Sequence, residues 1–377
     1  MRRTLQETLH NRRRVLREIW AEPGTSRISI AQVLDLNKST VSKIVGDLVS
    51  EGMVVEGESG EAGPAGGRRP VGLALSPEFG YFGGCTVRPD YYESMLLSFD
   101  GEVVWWDRTV RDLVGDNLIP GVVDALDQIL EESPGRLLGI GIGLPGIVDP
   151  NAGALHSSIP LSIPSPLTIL DRLGTRHDCQ VHVENDANTI CWGELMNRAH
   201  PDLSDFVCAL GEFRLAGPKD QVSVGLGLAL SGRVHYGQEF TSGEFRSPFW
   251  QPDRTGQFGL DDRIIARIHG DSDAMDALVS EMATSLAFLV NTLDLSHVFL
   301  EGFFAQDFER HAAAVESCLE RFWPYPGSPN CSVEQASGGK HALSRSAAAL
   351  AQHDYYGHQA FGAGGINEGA MGQGDGL

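Results

Sequence analysis

Lys38-Ser39-Thr40-Val41-Ser42-Lys43-Ile44-Val45-Gly46-Asp47-Leu48-Val49-Ser50 places apolar residues at Val41, Ile44, Val45, Leu48 and Val49 and leaves small polar and basic groups on its other face. Apolar positions three and four residues apart predict an amphipathic helix. An outward face made of Lys38, Ser39, Thr40, Ser42 and Lys43 is the pattern of a helix that enters a DNA major groove. Upstream, Leu5, Leu9, Leu16, Ile19 and Trp20 recur at helical spacing, which predicts a first helix over about 4–22, ended by Pro23-Gly24. A second helix carrying Ile30, Val33 and Leu34 is expected from Ser29, and Asp35-Leu36-Asn37 supplies a tight turn into the third. Three helices joined this way are a helix-turn-helix.

Working outward, Gly52 interrupts the helical pattern, residues 53–56 read as a strand and residues 71–75 as its partner. The pair predicts a β-hairpin wing, so residues 1–76 are expected to form a winged helix-turn-helix DNA-binding domain. The wing tip ends in Gly66-Gly67-Arg68-Arg69-Pro70. Arginines on a glycine arm suit a narrow minor groove, where the potential is most negative. A solvent-exposed loop is the plain alternative for Arg68 and Arg69, and their place beside a helix-turn-helix favours the DNA reading.

The whole chain is acidic, with a formal net charge of -21. Residues 1–76 hold 11 Lys and Arg against 9 Asp and Glu, while the remainder holds 18 against 41. The negative excess therefore belongs to the body and leaves the head slightly basic. Six cysteines are scattered without a C-x-x-C pair, which predicts reduced, mostly core thiols and neither a disulfide framework nor a cysteine zinc site. No apolar run has the roughly 18–20 residues of a membrane helix, so a cytoplasmic chain with no membrane partner is expected.

Beyond Ser76-Pro77 the signals alternate. A hairpin is expected at 94–99 and 103–106, a helix at 119–132, a buried strand at 137–144, a strand at 181–184 and a helix at 188–196. Strands at 207–210, 222–230 and 298–300 follow, with helices near 274–293 and 307–322. This alternation predicts an α/β body. Residues 357–377, rich in glycine, are expected to be a disordered tail.

Three clusters in the body carry chemistry. Ile140-Gly141-Ile142-Gly143-Leu144-Pro145-Gly146 is a buried strand running into a turn, where glycines permit either a ligand or a packed helix to approach the backbone. Glu184-Asn185-Asp186-Ala187-Asn188 sits where a strand ends and a helix begins, the place where open α/β sheets present polar groups to ligands. Carboxylates and an amide there can engage sugar hydroxyls; a helix N-cap at Asp186 or Asn188 would explain one of these residues but not all four polar ones. Gly225-Leu226-Gly227 followed by Gly243-Glu244 could bring a second carboxylate, and by its residues alone Glu244 reads better as a surface glutamate in a turn.

Taken in order, the winged head ending in Gly67-Arg68-Arg69-Pro70, the Gly141-Ile142-Gly143-Leu144-Pro145-Gly146 turn, the 184–188 cluster, and Gly225-Leu226-Gly227 with Gly243-Glu244 resemble the ROK family (repressors, open reading frames and kinases). The resemblance runs from the first helix to about residue 350 and is to the family's sugar-responsive transcriptional repressors, of the xylose-repressor or N-acetylglucosamine-repressor kind. It implies an α/β fold in which a winged helix-turn-helix precedes an actin-like (ribonuclease H-like) two-lobed body. The lobes are expected at 77–190 and 191–340, with a helix near 341–353 returning to the first. A sugar would lie between the lobes, near Pro145, Gly146, Asn185, Asp186 and Glu244. In family kinases the aspartate matching Asp186 is the general base.

Departures from the family pattern bear on activity. Gly83-Gly84-Cys85-Thr86-Val87-Arg88 lacks the acid of the kinases' phosphate loop, which implies that phosphoryl transfer is lost, that ATP is not bound, and that Asp186 is a vestigial base. Glu244 is followed by Phe245-Arg246-Ser247-Pro248-Phe249-Trp250 instead of the family's histidine, so Arg246, Phe249 or Trp250 is expected to reshape the pocket. No zinc, other metal or cofactor is expected. The resemblance thus implies a regulator, expected to repress carbohydrate-utilisation genes, that binds a palindromic double-stranded operator as a homodimer or tetramer under control of a sugar or sugar derivative. A sugar kinase that keeps a DNA-binding head, or a ligand-independent DNA binder, are the alternatives.

Overall fold

The computed structural model describes residues 2–59, 71–173, 179–213 and 222–356. Arg68 and Arg69 and the 357–377 segment lie outside the described residues. In the head, α1 (Arg2–Ala21), α2 (Arg27–Val33) and α3 (Lys38–Ser50) are followed by a two-stranded sheet of β1 (Val54–Ser59) and β2 (Val71–Leu75). Val15, Ile19, Ile30, Val41, Val45 and Leu48 are fully buried, so the three helices share one small core. Val49, which the spacing assigned to that face, is half-buried. α2 begins two residues earlier than expected because Ser26 caps it, its hydroxyl accepting from the Ser29 amide at 3.2 Å. Asp35, at φ +51°, turns the chain from α2 into α3. Arg14 Nη2 donates to the Leu34 carbonyl at 3.0 Å and ties α1 to the end of α2. The Gly24 amide donates to the Leu73 carbonyl at 2.8 Å and the Leu73 amide to that of Thr25 at 2.9 Å, so the α1–α2 loop bridges to β2.

The body opens with β3 (Tyr81–Val87), β4 (Tyr91–Ser98), β5 (Val103–Val110), α4 (Leu118–Glu132), β6 (Leu137–Leu144), β7 (Ile147–Asp149), β8 (Ala154–Ser157), β9 (Leu167–Thr168), α5 (Ile169–Leu173), β10 (Gln180–Asn185) and α6 (Asp186–Leu195). It continues through β11 (Phe206–Phe213), β12 (Val222–Leu230), β13 (Arg233–Val234), α7 (Asp262–Ile265), α8 (Ser272–Leu293), β14 (His297–Gly302), α9 (Phe303–Gln306), α10 (Phe308–Phe322), β15 (Ser332–Gln335) and α11 (Ala342–Tyr356). Two five-stranded sheets run β5-β4-β3-β6-β10 and β13-β12-β11-β14-β15. In each, three strands form an antiparallel meander, and two later strands join in parallel beside the first of the three. The same strand order in two lobes is the actin-like, ribonuclease H-like layout. A small sheet, β7-β8-β9, belongs to the first lobe.

Packing explains β3, whose Gly83-Gly84 pair carries no strand signal in sequence. Every residue of β3 is buried, as a central strand covered on both faces requires. α4 covers one face through Leu118, Val122, Ala125, Leu126 and Ile129. α11 covers the other, where a Cβ on Gly84 would lie 2.2 Å from the Ser344 carbonyl oxygen and one on Gly141 would lie 1.9 Å from that of Ala347. Of the two readings open for the glycines at 140–146, helix packing is therefore the one that holds at Gly141. α6 is buried nearly all round, as an internal helix must be. It rests on β12, where a Cβ on Gly227 would meet the Ala187 carbonyl oxygen at 2.3 Å. The far face of the second sheet is closed by α8 and α10 through Leu278, Met282, Leu286, Val315 and Leu319. All six cysteines are free, and Cys85, Cys191 and Cys208 are buried. Among the described residues no helix is long and apolar enough to cross a membrane.

Candidate functional site

The outer face of α3 carries Lys38, Ser39, Ser42 and Lys43, all exposed, with Thr40 half-buried. Asn37 stands at the N-cap but its side chain makes no capping bond, so no side chain caps the first-turn amides at the positive end of the helix dipole. One turn beyond Ser42 on the same face comes Gly46, where an added Cβ would meet nothing within 4 Å. Glycine inside a helix costs about 1 kcal/mol against alanine, and among the described residues nothing lies close enough to account for it.

In the body, the 184–188 cluster divides by role. Glu184 is buried and accepts from the Asn185 amide at 2.8 Å, Asn188 Nδ2 at 3.3 Å, Trp192 Nε1 at 3.2 Å and Tyr236 Oη at 2.7 Å. Burial raises its carboxyl above the ordinary range, and these donors, Tyr236 foremost, partly reverse the shift. Asn185, and neither Asp186 nor Asn188, is the N-cap of α6: its Oδ1 accepts from the Asn188 amide at 3.0 Å and its Nδ2 donates to the Gly146 carbonyl at 2.9 Å. Glu184, Asn185 and Asn188 are thus held by their own fold, which explains more of the cluster than a single cap could. Asn185 keeps one N–H and one lone pair for a ligand.

Asp186 is engaged differently. Arg88, in the β3–β4 turn, is 3 % exposed and places Nη1 2.9 Å from Asp186 Oδ2. Its Nε lies 2.5 Å from Oε1 of Glu212 on β11, so one guanidinium from the first sheet holds a carboxylate of the second. Burial alone would lower its pKa, but the charges of Glu212 and Asp186 raise it, and Arg88 remains a fixed cation. The loop expected to lack a phosphate-binding acid therefore carries a cation, which donates to Oδ2 of Asp186, while Oδ1 accepts from the Ala187 amide.

Glu244 stands exposed, and partial desolvation followed by the charge of Asp186 raises its carboxyl pKa. Gly243 at φ +91° brings the chain to β12, where the Leu226 amide donates to its carbonyl at 3.0 Å. Gly146 is half-buried at φ +124° and Pro145 is buried. Gly146, Asn185 and Asp186 are accordingly brought together, with Glu244 within electrostatic reach. Three aromatic rings not foreseen from the sequence lie nearby. Phe240 meets His156 of β8 edge-on at 6.1 Å and Tyr236, the partner of Glu184, at 6.3 Å.

A cavity of about 900 Å³ lies against Arg88 on the side of Tyr91, Glu93, Phe213, Glu301 and Lys340. Of its cations, Arg88 is committed as described and Arg108 forks onto Glu93 Oε2 at 3.0 and 2.8 Å, while Lys340 Nζ lies 5.4 Å from the centre of the Trp106 ring. Burial raises the Glu301 carboxyl to about 7. Arg246, Phe249 and Trp250 do not line this cavity. Arg246 instead stacks on Trp250, 4.4 Å from the ring centre, and Phe249 is 52 % exposed.

Comparisons with known proteins bear on both regions. The sequence profile of the ROK family matches residues 95–245, and that of the winged helix-turn-helix DNA-binding family matches residues 9–55. A putative xylose repressor of Caldicellulosiruptor sp. (strain Rt8B.4) is 28 % identical over 244 residues, 62 % of this chain and 57 % of that protein. The xylose repressor of Bacillus subtilis (strain 168) is 28 % identical over 239 residues, 62 % of this chain and 59 % of that one. The chain thus spans less than three fifths of the length of these curated relatives. The crystal structure of a ROK family transcriptional regulator, a homologue of the E. coli MLC protein, superimposes with a TM-score of 0.71 over 93 % of this chain and 98 % of its own at 18 % identity, a likeness of fold. The ROK family profile thus falls across both lobes of the body, and the winged helix-turn-helix profile across the three helices of the head that precedes it in sequence.

Proposed function

We propose that this chain is a cytoplasmic, homodimeric transcriptional regulator that represses carbohydrate-utilisation genes and whose operator affinity is set by a sugar or sugar derivative bound between the lobes of its body. The names of its relatives make xylose the first sugar to try. Lys38, Ser39, Thr40, Ser42 and Lys43 would read the major groove of a palindromic operator, and Arg68 and Arg69 would enter the minor groove. Gly46 fits a face against which DNA comes close.

The observation that carries the reading is the grip of Arg88 on Asp186. A sugar hydroxyl that donates to Asp186 must compete with Arg88, and Arg88 also holds Glu212 of the other sheet. Ligand binding would therefore loosen an ion pair within the first lobe whose guanidinium also holds Glu212 of the second, and a change in that interlobe contact would give the sugar unequal affinity for two lobe arrangements. Only such a difference can shift operator binding. The same ion pair argues against phosphoryl transfer, because a guanidinium beside Asp186 stabilises its charged form and makes it a weaker base. The absence of an acid from Gly83-Gly84-Cys85-Thr86-Val87-Arg88 argues against ATP. No cofactor and no cysteine-bound zinc are proposed.

The test joins two measurements. Thermal unfolding against a panel of pentoses, hexoses and N-acetylhexosamines should find a ligand that stabilises the protein by mass action, and that ligand should change operator affinity in fluorescence anisotropy. Lys38→Ala with Lys43→Ala should reduce the salt slope of DNA binding by about 1 per lysine. ATP-dependent phosphorylation of a sugar that disappears in Asp186→Asn would overturn the proposal in favour of a kinase with a DNA-binding head.

A further inference from the structure

At the start of β14, away from the cleft, three side chains converge. Glu334 on β15 lies in register with Phe299, so it shares a sheet face with Phe299 and His297. His200, in the turn after α6, comes over that face with Nε2 3.1 Å from Glu334 Oε2. His297 Nε2 is 3.7 Å from Glu334 Oε1. The three side chains are 22 %, 21 % and 37 % exposed for His200, His297 and Glu334, so an ion can reach them from solvent.

The tautomer of His297 follows from its neighbours. Ser296 Oγ donates its one proton to the Asp205 carbonyl at 2.9 Å. Its contact with His297 Nδ1, also 2.9 Å, must then be made by an Nδ1–H. In neutral imidazole this leaves Nε2 with a lone pair directed at a carboxylate oxygen. Two electron-rich atoms facing each other call for a cation between them, either a proton or a metal ion. With bonds of about 2.1 Å, ligands of a tetrahedral ion stand about 3.4 Å apart, and the observed separations of 3.1 and 3.7 Å fall on either side of that value.

We propose that His200, His297 and Glu334 bind one divalent transition-metal ion of the Zn2+ type through the two Nε2 atoms and the Glu334 carboxylate, with solvent completing the shell. Two imidazoles and one carboxylate favour Zn2+, Co2+ or Ni2+ over Mg2+ or Ca2+, which prefer oxygen alone. The Asp205–Ser296–Nδ1 chain is the outer-shell support that metal-bound histidines commonly have. Such an ion would staple β14, β15 and the α6–β11 connection of the second lobe. The expectation of no metal came from cysteine spacing, and a histidine and a glutamate 134 positions apart leave no spacing to recognise.

The full chain, stripped of metal with a chelator, should take up one equivalent of Co2+ with a visible spectrum free of thiolate charge transfer, and Zn2+ should displace it. His200→Ala and His297→Ala should each abolish stoichiometric uptake, and Ser296→Ala should weaken it by about 10- to 100-fold. Zn2+ should raise the unfolding temperature of the wild type and leave those of the histidine variants unmoved. Absence of uptake at one equivalent, a thiolate band, or unchanged uptake by the His200→Ala/His297→Ala double variant would overturn the site. Should the histidine variants not fold, Glu334→Gln decides: uptake equal to wild type refutes the proposal, and a loss of at least tenfold in affinity supports it.

Discussion

The starts of α3 and α6 look alike as sequence, Asn37-Lys38-Ser39-Thr40 in one and Asn185-Asp186-Ala187-Asn188 in the other, yet their polar groups have opposite fates. On α3 the cap makes no side-chain bond and the lysines and serines stand in solvent. On α6 the cap bonds twice, and Asp186 is held by a buried arginine. Polar groups turned outward stay available to a partner without first giving up a bond inside the protein. Those turned inward must be satisfied before they can serve, so a ligand has to displace something. The first arrangement suits constant recognition and the second suits a switch.

Removing the cation from the inner site should produce the largest effect. Arg88→Met leaves Asp186 and Glu212 without their counter-charge, and urea denaturation should show a loss of about 3–5 kcal/mol, partly restored when Asp186→Asn is added. A variant as stable as wild type would erase the distinction between the two helix starts. A smaller, pH-dependent effect is expected at Glu301. Its carboxyl, raised from 4.5 to about 7 by burial, holds its proton more tightly in the folded than in the unfolded chain. The stability it contributes is complete below about pH 4.5 and is lost as pH rises through about 7. Glu301→Gln should therefore gain on wild type by about 1–3 kcal/mol between pH 5 and pH 8, and parallel stability curves would refute the assignment. The smallest change belongs to the outer face. Gly46→Ala should stabilise the head by about 1 kcal/mol while weakening operator binding; unchanged DNA affinity would mean that nothing approaches that position.

The two regions also differ in how far they could be read in advance. α3 at 38–50 and β2 at 71–75 have the expected bounds, as do β6 and β12 in the body, because each is a local apolar pattern with a clear break at its ends. The family motifs led to Gly146, Asn185 and Asp186 as neighbours. What stayed hidden was pairwise and remote. Arg88 and Asp186 are 98 positions apart, and the role of Glu184 depends on Tyr236, 52 positions downstream. β3 escaped notice because Gly83-Gly84 reads as a loop until α4 and α11 supply the atoms that exclude side chains there. β7, β8, β9 and β15 have at most four residues each, too few for alternation to show.

α11 closes the first sheet against Gly84 and Gly141, although the whole second sheet separates it from them along the chain. During synthesis, strands β3 to β6 emerge with one face uncovered and stay so until residues 342–356 leave the ribosome. The first lobe to be made is thus the last that can close, and a nascent chain of this protein must keep that face from aggregating while the second lobe is translated.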